Sequence, residues 1–224
     1  MKKLIIFDMD GVLIDSEPIY NEFYPVFYRE RLGIHLTSDD LDAMTGVATT
    51  ETFARYKTLY NLPETPEYYT RQAYDLLLDQ FANLPELPAI RGITEFLKLL
   101  KASNFHLAVS SSNQRQMVQL SLKRLGLDAF FENVLSGEDV PRAKPDPEIF
   151  SRQAVHFGVL PAECVVIEDS TNGVKAAKAA NMFCIGFMNP NSGHQDLTLA
   201  DWHVTEWTEP VVERVLTMGQ ISLV

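Results

Sequence analysis

Short apolar segments alternate with helical patterns along most of this sequence, and this alternation constrains the fold more than any other feature. The apolar segments lie at residues 4–7, 105–110, 134–135, 164–167, 183–187 and 202–204. They show no regular polar alternation, which is typical of strands covered on both faces of a sheet. Apolar residues between them recur at helical spacing, as in Ile93, Phe96, Leu97 and Leu100. Strands that alternate with helices predict an α/β fold with a Rossmann-like parallel sheet and right-handed crossovers.

One region interrupts this alternation. Between about residues 16 and 84 no segment has a strand pattern, and aromatic residues recur at helical intervals, as in Tyr20, Phe23, Tyr24 and Phe27. The hydroxyl and carboxyl side chains of residues 37–40 predict a helix start. We therefore predict a helical domain over residues 16–84, inserted into an α/β core domain formed by residues 1–15 and 85–224.

Composition excludes several classes of function. The chain has 19 Lys and Arg against 30 Asp and Glu, a formal net charge of −11. A general nucleic-acid binder needs a basic surface, so no nucleic-acid partner is expected. No apolar run approaches the roughly 18 to 20 residues of a membrane span, so no membrane partner is expected either. Cys164 and Cys184 lack zinc-like spacing, which favours free thiols in a reducing cytosol and a cytoplasmic location.

The strongest chemical signal directly follows the first strand. Asp8 and Asp10 stand two residues apart, and Gly11 allows the chain to turn after them. Residues two apart in a strand face the same side, and ligands bind at this end of strands in parallel sheets. Two adjacent carboxylates repel each other unless a proton or a metal ion lies between them. The motif taken alone is also compatible with an ordinary acidic turn.

A second buried strand also ends in carboxylates. Glu168 and Asp169 follow the apolar run of residues 164–167, and Ser170 comes next. Asp169 or Ser170 taken alone is compatible with a simple helix cap. Beside Asp8 and Asp10, however, these carboxyl oxygens suit Mg²⁺, a hard cation that prefers oxygen ligands.

Two further segments suit an anion. Ser110, Ser111, Ser112 and Asn113 end the strand that begins near residue 105, where hydroxyls, an amide and the N–H groups of a following helix favour a phosphate. Lys144 precedes two prolines that stiffen its loop. Taken alone, the serine-rich segment is also compatible with a plain helix start, and Lys144 is compatible with a solvated lysine.

These four segments, in this order and each near a strand end, resemble the haloacid dehalogenase superfamily of phosphatases and phosphomutases. The resemblance covers nearly the whole chain and is greatest for the β-phosphoglucomutase-like branch, which carries a helical cap after the first strand. It implies a Mg²⁺-dependent enzyme that transfers a phosphoryl group through an aspartyl-phosphate. It also implies a cap that acts as a lid, with hinges near residues 14–17 and 85–90, and that presents Thr45 and Gly46 to the leaving group.

The resemblance also implies roles for single residues. Asp8 matches the nucleophile and Asp10 the general acid and base. Ser111 matches the hydroxyl that holds the phosphoryl group, with Ser110 or Ser112 as the alternative if the register differs by one.

The remaining matches concern the phosphate and the metal. Lys144 matches the family's lysine, and Ser112 and Asn113 join Ser111 as predicted phosphate-binding residues. Asp8, the backbone carbonyl of Asp10, and Asp169 would hold Mg²⁺, with Glu168 in or beside the metal's ligand set.

Two departures from the family pattern favour hydrolysis over mutase activity. Mutases of this branch carry a histidine early in the cap, where this chain runs from Glu17 to Asn21. They also carry a cap arginine three residues after a glycine, and here Thr49 occupies that position. A threonine cannot grip a second phosphate bidentately as arginine does, although Arg55 or Arg71 could substitute from another helix. We therefore predict a phosphatase, with a phosphosugar mutase as the alternative.

Other classes fit less well. A dehalogenase has no use for the Mg²⁺-phosphate residues, and phosphonate hydrolysis would need a cap lysine, for which only Lys57 is available. A phospho-accepting receiver domain is about half this length and lacks an inserted cap, and an inactive binding relative would not need every matched residue. The expected partner is a small phosphorylated metabolite, such as a sugar phosphate. The sequence does not identify that ester and leaves the oligomeric state open, with a slight preference for a monomer.

Overall fold

A computed structural model describes residues 3–44, 47 and 49–218 of the chain. The chain divides into an α/β unit, Met1–Asp15 with Leu87–Val224, and a helical unit, Ser16–Glu86. The predicted lid residues Thr45 and Gly46 lie outside the described residues.

A single sheet of six parallel strands forms the centre of the α/β unit. The strands are β1 (Leu4–Phe7), β2 (His106–Ser110), β3 (Asn133–Leu135), β4 (Cys164–Glu168), β5 (Phe183–Phe187) and β6 (Trp202–Val204). Their spatial order is β3-β2-β1-β4-β5-β6. Each predicted strand segment is present, and the predicted α/β fold with a parallel Rossmann-like sheet is confirmed.

Nine α-helices lie in the described part of the chain. They are α1 (Glu17–Phe27), α2 (Ser38–Met44), α3 (Thr49–Tyr60), α4 (Pro66–Asn83), α5 (Ile93–Ala102), α6 (Arg115–Leu125), α7 (Glu148–Phe157), α8 (Thr171–Ala179) and α9 (Glu209–Met218). Helices α1 to α4 belong to the helical unit, and a π-helical turn, Tyr28–Leu32, follows α1. Within residues 3–44 and 49–218, no helix has both the length and the apolar character that a bilayer span requires.

The two faces of β1 serve two parts of the core. All four of its residues are fully buried. Leu4 and Ile6 belong to a cluster with apolar residues of α7 and α8. Phe7 points to the other face, where its ring lies 6.1 Å from Phe96 of α5. Because successive side chains of a strand face opposite ways, an all-apolar strand is what a sheet covered on both faces requires.

Aromatic residues form the core of the helical unit. Tyr28 stacks on Phe53 with ring centroids 5.3 Å apart, and Tyr56 meets Tyr28 edge to face at 5.0 Å. Phe53 and Tyr28 are fully buried. The predicted helix start at residues 37–40 is present, since Thr37 and Asp40 bond reciprocally: the Asp40 carboxylate accepts from the Thr37 N–H at 2.9 Å, and the Thr37 hydroxyl oxygen accepts from the Asp40 N–H at 3.3 Å.

The two chain segments that leave the α/β unit pair with each other. The Asp15 N–H donates to the carbonyl of Pro88 at 2.8 Å, and the Ile90 N–H donates to the carbonyl of Leu13 at 3.0 Å. These four residues all belong to the α/β unit. The start and the end of the insertion are therefore joined before the helical unit begins.

Candidate active site

Three carboxylates meet at the carboxyl ends of β1 and β4. Asp8 follows β1 directly, Glu168 ends β4, and Asp169 comes next. Phe7 pairs with Ile167 in register, so the two strands end side by side. Each of the three residues offers an oxygen, and these oxygens lie within 4.8 Å of one another. The parallel strand pairing thus brings together two acidic motifs that are about 160 residues apart in the sequence.

Lys144 joins two of these carboxylates. Its Nζ donates to Asp8 Oδ1 and to Glu168 Oε1, at 2.6 Å each, and to the carbonyl of Ser110 at 2.9 Å. The side chain is only 5% exposed. Its ammonium also lies 5.0 Å from the ring centroid of Phe150, a favourable cation–π distance. Lys144 is therefore a fixed part of the site and not a solvated loop lysine.

Two glycines make room for the carboxylates. A Cβ atom on Gly11, which has a φ of +75°, would lie 1.9 Å from Asp169 Oδ2. A Cβ atom on Gly173 in α8 would lie 1.9 Å from Glu168 Oε1. A side chain at position 11 or 173 would therefore occupy the space of the Asp169 or Glu168 carboxylate, so the site depends on these two glycines.

Glu168 is held by hydrogen bonds as well as by Lys144. Its Oε2 accepts from the Ser170 hydroxyl at 2.9 Å and from the N–H groups of Asp169 and Ser170 at 3.1 Å each. The Ser170 hydroxyl oxygen in turn accepts from the Gly173 N–H at 3.0 Å and caps α8. The helix-cap interpretation is therefore right for Ser170, whereas Asp169 turns toward the carboxylate cluster.

Burial and mutual repulsion shift the ionisation of this cluster. Burial, with the neighbouring Glu168 and Asp10 charges, outweighs the attraction of Lys144 and raises the pKa of Asp8 to about 8. Burial and the charges of Glu168 and Asp8 likewise hold the pKa of Asp169 well above its usual range. Burial alone would lower the pKa of Lys144, but the Asp8 and Glu168 carboxylates raise it overall. The single ammonium of Lys144 therefore does not balance the negative charge of the carboxylates.

The residues present fit a small divalent cation. The three carboxylates and one ammonium carry two net formal negative charges when all are ionised. Carboxylate oxygens are the ligands that Mg²⁺ prefers. Gly11 and Gly173 leave the space that the carboxylates occupy. A cation held by Asp8 and Asp169, with Glu168 beside them, would offset the repulsion that raises the two pKa values.

Asp10 and the serine-rich loop form a second part of the site. The carboxylate of Asp10 lies outside the three-carboxylate cluster and accepts a hydrogen bond from Asn113 Nδ2 at 3.3 Å. The Asn113 N–H donates to Ser111 Oγ at 3.1 Å. The structure thus connects three of the predicted site residues, which come from the ends of β1 and β2.

The serines of this loop face different surroundings. The hydroxyl of Ser110 donates to the carbonyl of Ile149 at 3.5 Å and accepts from Gln153 Nε2 at 3.2 Å, within the buried core. Ser112 is exposed. Ser111 lies between them and contacts Asn113, which favours the register in which Ser111 is the phosphate-binding hydroxyl.

Sequence reasoning missed the loop that follows β5. No predicted site residue lies in this loop, but the loop contacts both acidic segments. The Asn189 amide donates to the carbonyl of Gly11 at 3.1 Å, and the Ser192 hydroxyl donates to Asp169 Oδ2. The Asp15 carboxylate accepts from the side chains of Asn189 and Asn191. The position of the loop directly after a predicted strand could have identified it, because it leaves the same edge of the sheet as the other motifs.

Comparison with known proteins assigns the family. The sequence profile described as haloacid dehalogenase-like hydrolase matches residues 5–187, a range that contains every predicted site residue. The chain belongs to this family, and the predicted membership and enzyme class are confirmed.

Named relatives include both phosphatases and a mutase. The chain is 33% identical over 178 residues to the phosphorylated carbohydrates phosphatase of Thermotoga maritima, covering 80% of this chain and 81% of that protein. It is 30% identical over 192 residues to the β-phosphoglucomutase of Bacillus subtilis, covering 82% of each. The fold matches that of β-phosphoglucomutase from Clostridium difficile with a TM-score of 0.80 and 23% identity, covering 98% of each chain.

Proposed function

We propose that this protein is a Mg²⁺-dependent phosphatase of small phosphate esters, a sugar phosphate or similar metabolite, that acts through an aspartyl-phosphate. The observation that carries the proposal is the Lys144 ammonium, which bonds both Asp8 and Glu168 at the strand ends. A lysine in this position holds a nucleophilic carboxylate in place and offsets part of its charge. The family and the phosphatase-named relative support the same reaction class.

Asp8 is the proposed nucleophile. A carboxylate oxygen of Asp8 attacks phosphorus, an Asp8 oxygen–phosphorus bond forms, and the bond from phosphorus to the ester oxygen breaks. Asp8 is nearly buried and its Oδ1 is bonded to Lys144, so its orientation is fixed before substrate arrives. Mg²⁺, when bound by Asp8 and Asp169 with the Asp10 carbonyl and Glu168, offsets the repulsion between this carboxylate and the phosphate.

Asp10 is the proposed general acid and base. It donates a proton to the leaving alkoxide, and the deprotonated carboxylate then takes a proton from the water that attacks the aspartyl-phosphate. That attack restores the Asp8 carboxylate and releases inorganic phosphate. The hydrogen bond from Asn113 Nδ2 to Asp10 Oδ2 holds this carboxyl group beside the serine-rich loop.

The phosphate oxygens are assigned to the loop after β2. We propose that the Ser111 hydroxyl and Lys144 bind them, with Ser112 and Asn113 at the edge of the site. The buried position of Ser111 and its bond with Asn113 support this assignment. We further propose that the helical unit sets substrate specificity as a cap and that the protein acts in the cytoplasm.

A phosphosugar mutase is the second candidate, because one relative, whose alignment covers 82% of both chains, is named β-phosphoglucomutase. The missing cap arginine argues against it. Arg71 is 86% exposed and lies 3.9 Å from Asp75, and Arg55 is exposed.

Phosphonate hydrolysis would need a reactive cap lysine. Lys57 does not fit this role, since its ammonium donates to the carbonyls of Leu62 and Glu64 at 2.7 Å each.

Turnover against a panel of phosphate esters, with and without Mg²⁺, tests the proposal. The panel contains hexose, pentose, glycerol and nucleoside monophosphates, together with β-glucose 1-phosphate and its bisphosphate activator. We expect release of inorganic phosphate that EDTA abolishes. Acid-quenched wild-type protein should retain a phosphoryl label that the Asp8→Asn variant lacks. Glucose 6-phosphate formed without free phosphate would establish the mutase instead, and no turnover of any ester would overturn both.

A further inference from the structure

Asp169 differs from the other two carboxylates in how it is held. Lys144 bonds Asp8 and Glu168, whereas Asp169 Oδ2 accepts from the hydroxyl of Ser192. Ser192 is 3% exposed and lies in the loop between β5 and β6. The same oxygen of Asp169 packs against the backbone of Gly11. The Ser192 hydroxyl and the Gly11 backbone together restrict the position of Asp169 Oδ2.

The loop that carries Ser192 is itself anchored to the first acidic segment. The Asn189 amide donates to the Gly11 carbonyl at 3.1 Å, and the Asn191 amide donates to Asp15 Oδ2 at 2.7 Å. The Ser192 N–H donates to the carbonyl of Asn189 at 3.2 Å. The position of the Ser192 hydroxyl is therefore fixed relative to the segment that carries Asp8 and Asp10.

The loop is also anchored at its far end, to the start of α8. The Thr171 N–H donates to Gln195 Oε1 at 2.9 Å, and the Asp196 N–H donates to the Thr171 hydroxyl at 2.7 Å. Asp169 lies two residues before Thr171. The loop thus connects both strand ends that supply the carboxylates.

A neutral donor at Asp169 suits a cation site better than a charged one. A hydroxyl satisfies one lone pair of a buried carboxylate without cancelling its charge. A second lysine at this position would remove one of the two net negative charges that favour a divalent cation. The cluster therefore combines one ammonium, which holds Asp8 and Glu168, with one hydroxyl, which orients Asp169 and adds no positive charge.

We propose that Ser192 is a positioning residue for the divalent cation, which acts by orienting the Asp169 carboxylate. The inference rests on the proposed Mg²⁺ site. Hydrogen-bond partners of metal ligands change metal affinity by about 10- to 100-fold when they are removed. The Ser192→Ala variant should therefore bind the cation about tenfold or more weakly than wild type.

Binding of Mn²⁺ in the absence of substrate provides the direct test. Mn²⁺ takes the same carboxylate ligands as Mg²⁺, and the free ion is counted by its paramagnetic resonance signal. Ser192→Ala should leave more Mn²⁺ free at every protein concentration, whereas Ser192→Thr, which keeps the hydroxyl, should bind close to the wild-type level. In the enzyme assay, Ser192→Ala should raise the Mg²⁺ concentration for half-maximal activity more than it lowers kcat at saturating Mg²⁺.

Ser121→Ala is the matched control. It deletes the hydroxyl of another fully buried serine, in α6, for which residues 3–44, 47 and 49–218 offer no hydrogen-bond partner. Its Mn²⁺ affinity should equal that of wild type. Thermal melts verify folding, and if Ser192→Ala does not fold, Ser192→Cys, a weaker donor of similar shape, is measured instead and should bind more weakly than wild type.

Two results would overturn the inference, and they are distinguishable. If wild type binds Mn²⁺ and the folded Ser192 variants bind it equally well, Ser192 has no positioning role, while the proposed cation site stands. If wild type binds neither Mn²⁺ nor Mg²⁺, the proposed cation site fails and the role of Ser192 fails with it. Weaker binding by Ser192→Ala, with wild-type affinity in Ser192→Thr and Ser121→Ala, supports the inference.

Discussion

The two units of this chain bury different kinds of side chain. At the carboxyl ends of β1 and β4, the α/β unit buries carboxylates and a lysine. The helical unit instead centres on stacked rings, with Phe53 and Tyr28 fully buried. Buried charges are costly and weak evidence for stability, whereas buried rings contribute mainly apolar area and packing. The comparison contrasts buried charged residues, to which we assign the proposed chemistry, with buried rings that pack the helical unit.

Buried hydroxyls differ from one another in whether they have a hydrogen-bond partner. The hydroxyl of Ser192 donates to Asp169. The hydroxyl of Tyr28 has no partner among the residues that the structure describes. A buried polar group without a partner costs free energy and has no compensating bond. Removing the Tyr28 hydroxyl should therefore stabilise the protein, whereas removing a buried hydroxyl that has a partner should not.

The largest effect is expected from Asp8→Asn. Asparagine keeps the shape of the side chain but is not a nucleophile, so phosphatase turnover should fall by about a thousandfold or more, as for other essential nucleophiles. The melting temperature should stay near that of wild type, because burial already disfavours the charged form of Asp8 and the amide oxygen of asparagine can still accept a hydrogen bond from Lys144. Steady-state assays and thermal melts measure both, with exposed Asp128→Asn as a fully active control. Appreciable Mg²⁺-dependent turnover by Asp8→Asn would show that Asp8 is not the nucleophile.

In the helical unit, Phe53→Ala should act on stability instead. Phe53 is fully buried and packs on Phe27 and Tyr28 at 5.9 and 5.3 Å. Removing its ring should cost about 3–5 kcal/mol of the unit's unfolding free energy, and Phe53→Leu should cost less. Denaturant titration measures the loss. Mn²⁺ affinity should be unchanged, since the carboxylates belong to the α/β unit; a matching loss of Mn²⁺ binding would contradict the contrast.

A smaller effect of opposite sign is expected from Tyr28→Phe. Removing the unpartnered hydroxyl should raise the free energy of unfolding by about 1 kcal/mol. Tyr56→Phe is the matched control, because the Tyr56 hydroxyl donates to Asp40 Oδ1 at 2.8 Å and its loss should destabilise the unit. Thermal melts of the two variants should therefore shift in opposite directions. A destabilised Tyr28→Phe variant would show that the Tyr28 hydroxyl contributes a favourable interaction.

The smallest effect concerns Asp40 and depends on pH. The Thr37 N–H, the Thr37 hydroxyl and the Tyr56 hydroxyl hold the pKa of Asp40 below its usual range. A carboxylate with a lowered pKa in the folded state contributes stability above its unfolded pKa of about 3.9 and loses it as pH falls further. The stability advantage of wild type over Asp40→Asn should therefore be present at neutral pH and shrink below about pH 4. Melts of both proteins from neutral to acidic pH measure this, with exposed Asp39→Asn as the control; a pH-independent difference would contradict it.

Hydrophobic periodicity was sufficient to predict the sheet. The bounds of β1, β5 and β6 are those predicted from the apolar runs, because strands covered on both faces have an unmistakable composition. The proximity of Asp8 to Glu168 and Asp169 also followed from the rule that parallel strands end at the same edge. Their chemical roles remain predictions.

The loop after β5 was beyond sequence reasoning for a physical reason. The bond from Ser192 to Asp169 joins residues 23 positions apart, and it forms only because β5 lies next to β4. Periodicity identifies strands but does not give their order in the sheet. The π-helical turn after α1 was missed as well, since its residues, from Tyr28 to Leu32, fit an ordinary helical pattern.

The pairing of the two linkers has a consequence for the chain as a polymer. Because Asp15 bonds Pro88 and Leu13 bonds Ile90, the α/β unit closes a loop of about 70 residues at a fixed end-to-end distance. The entropy cost of closing a flexible loop grows only with the logarithm of its length, so that doubling the length adds about 0.6 kcal/mol. The stability of the α/β unit should therefore depend little on the length of the insertion, and the helical unit can be lengthened, shortened or exchanged without rebuilding the sheet.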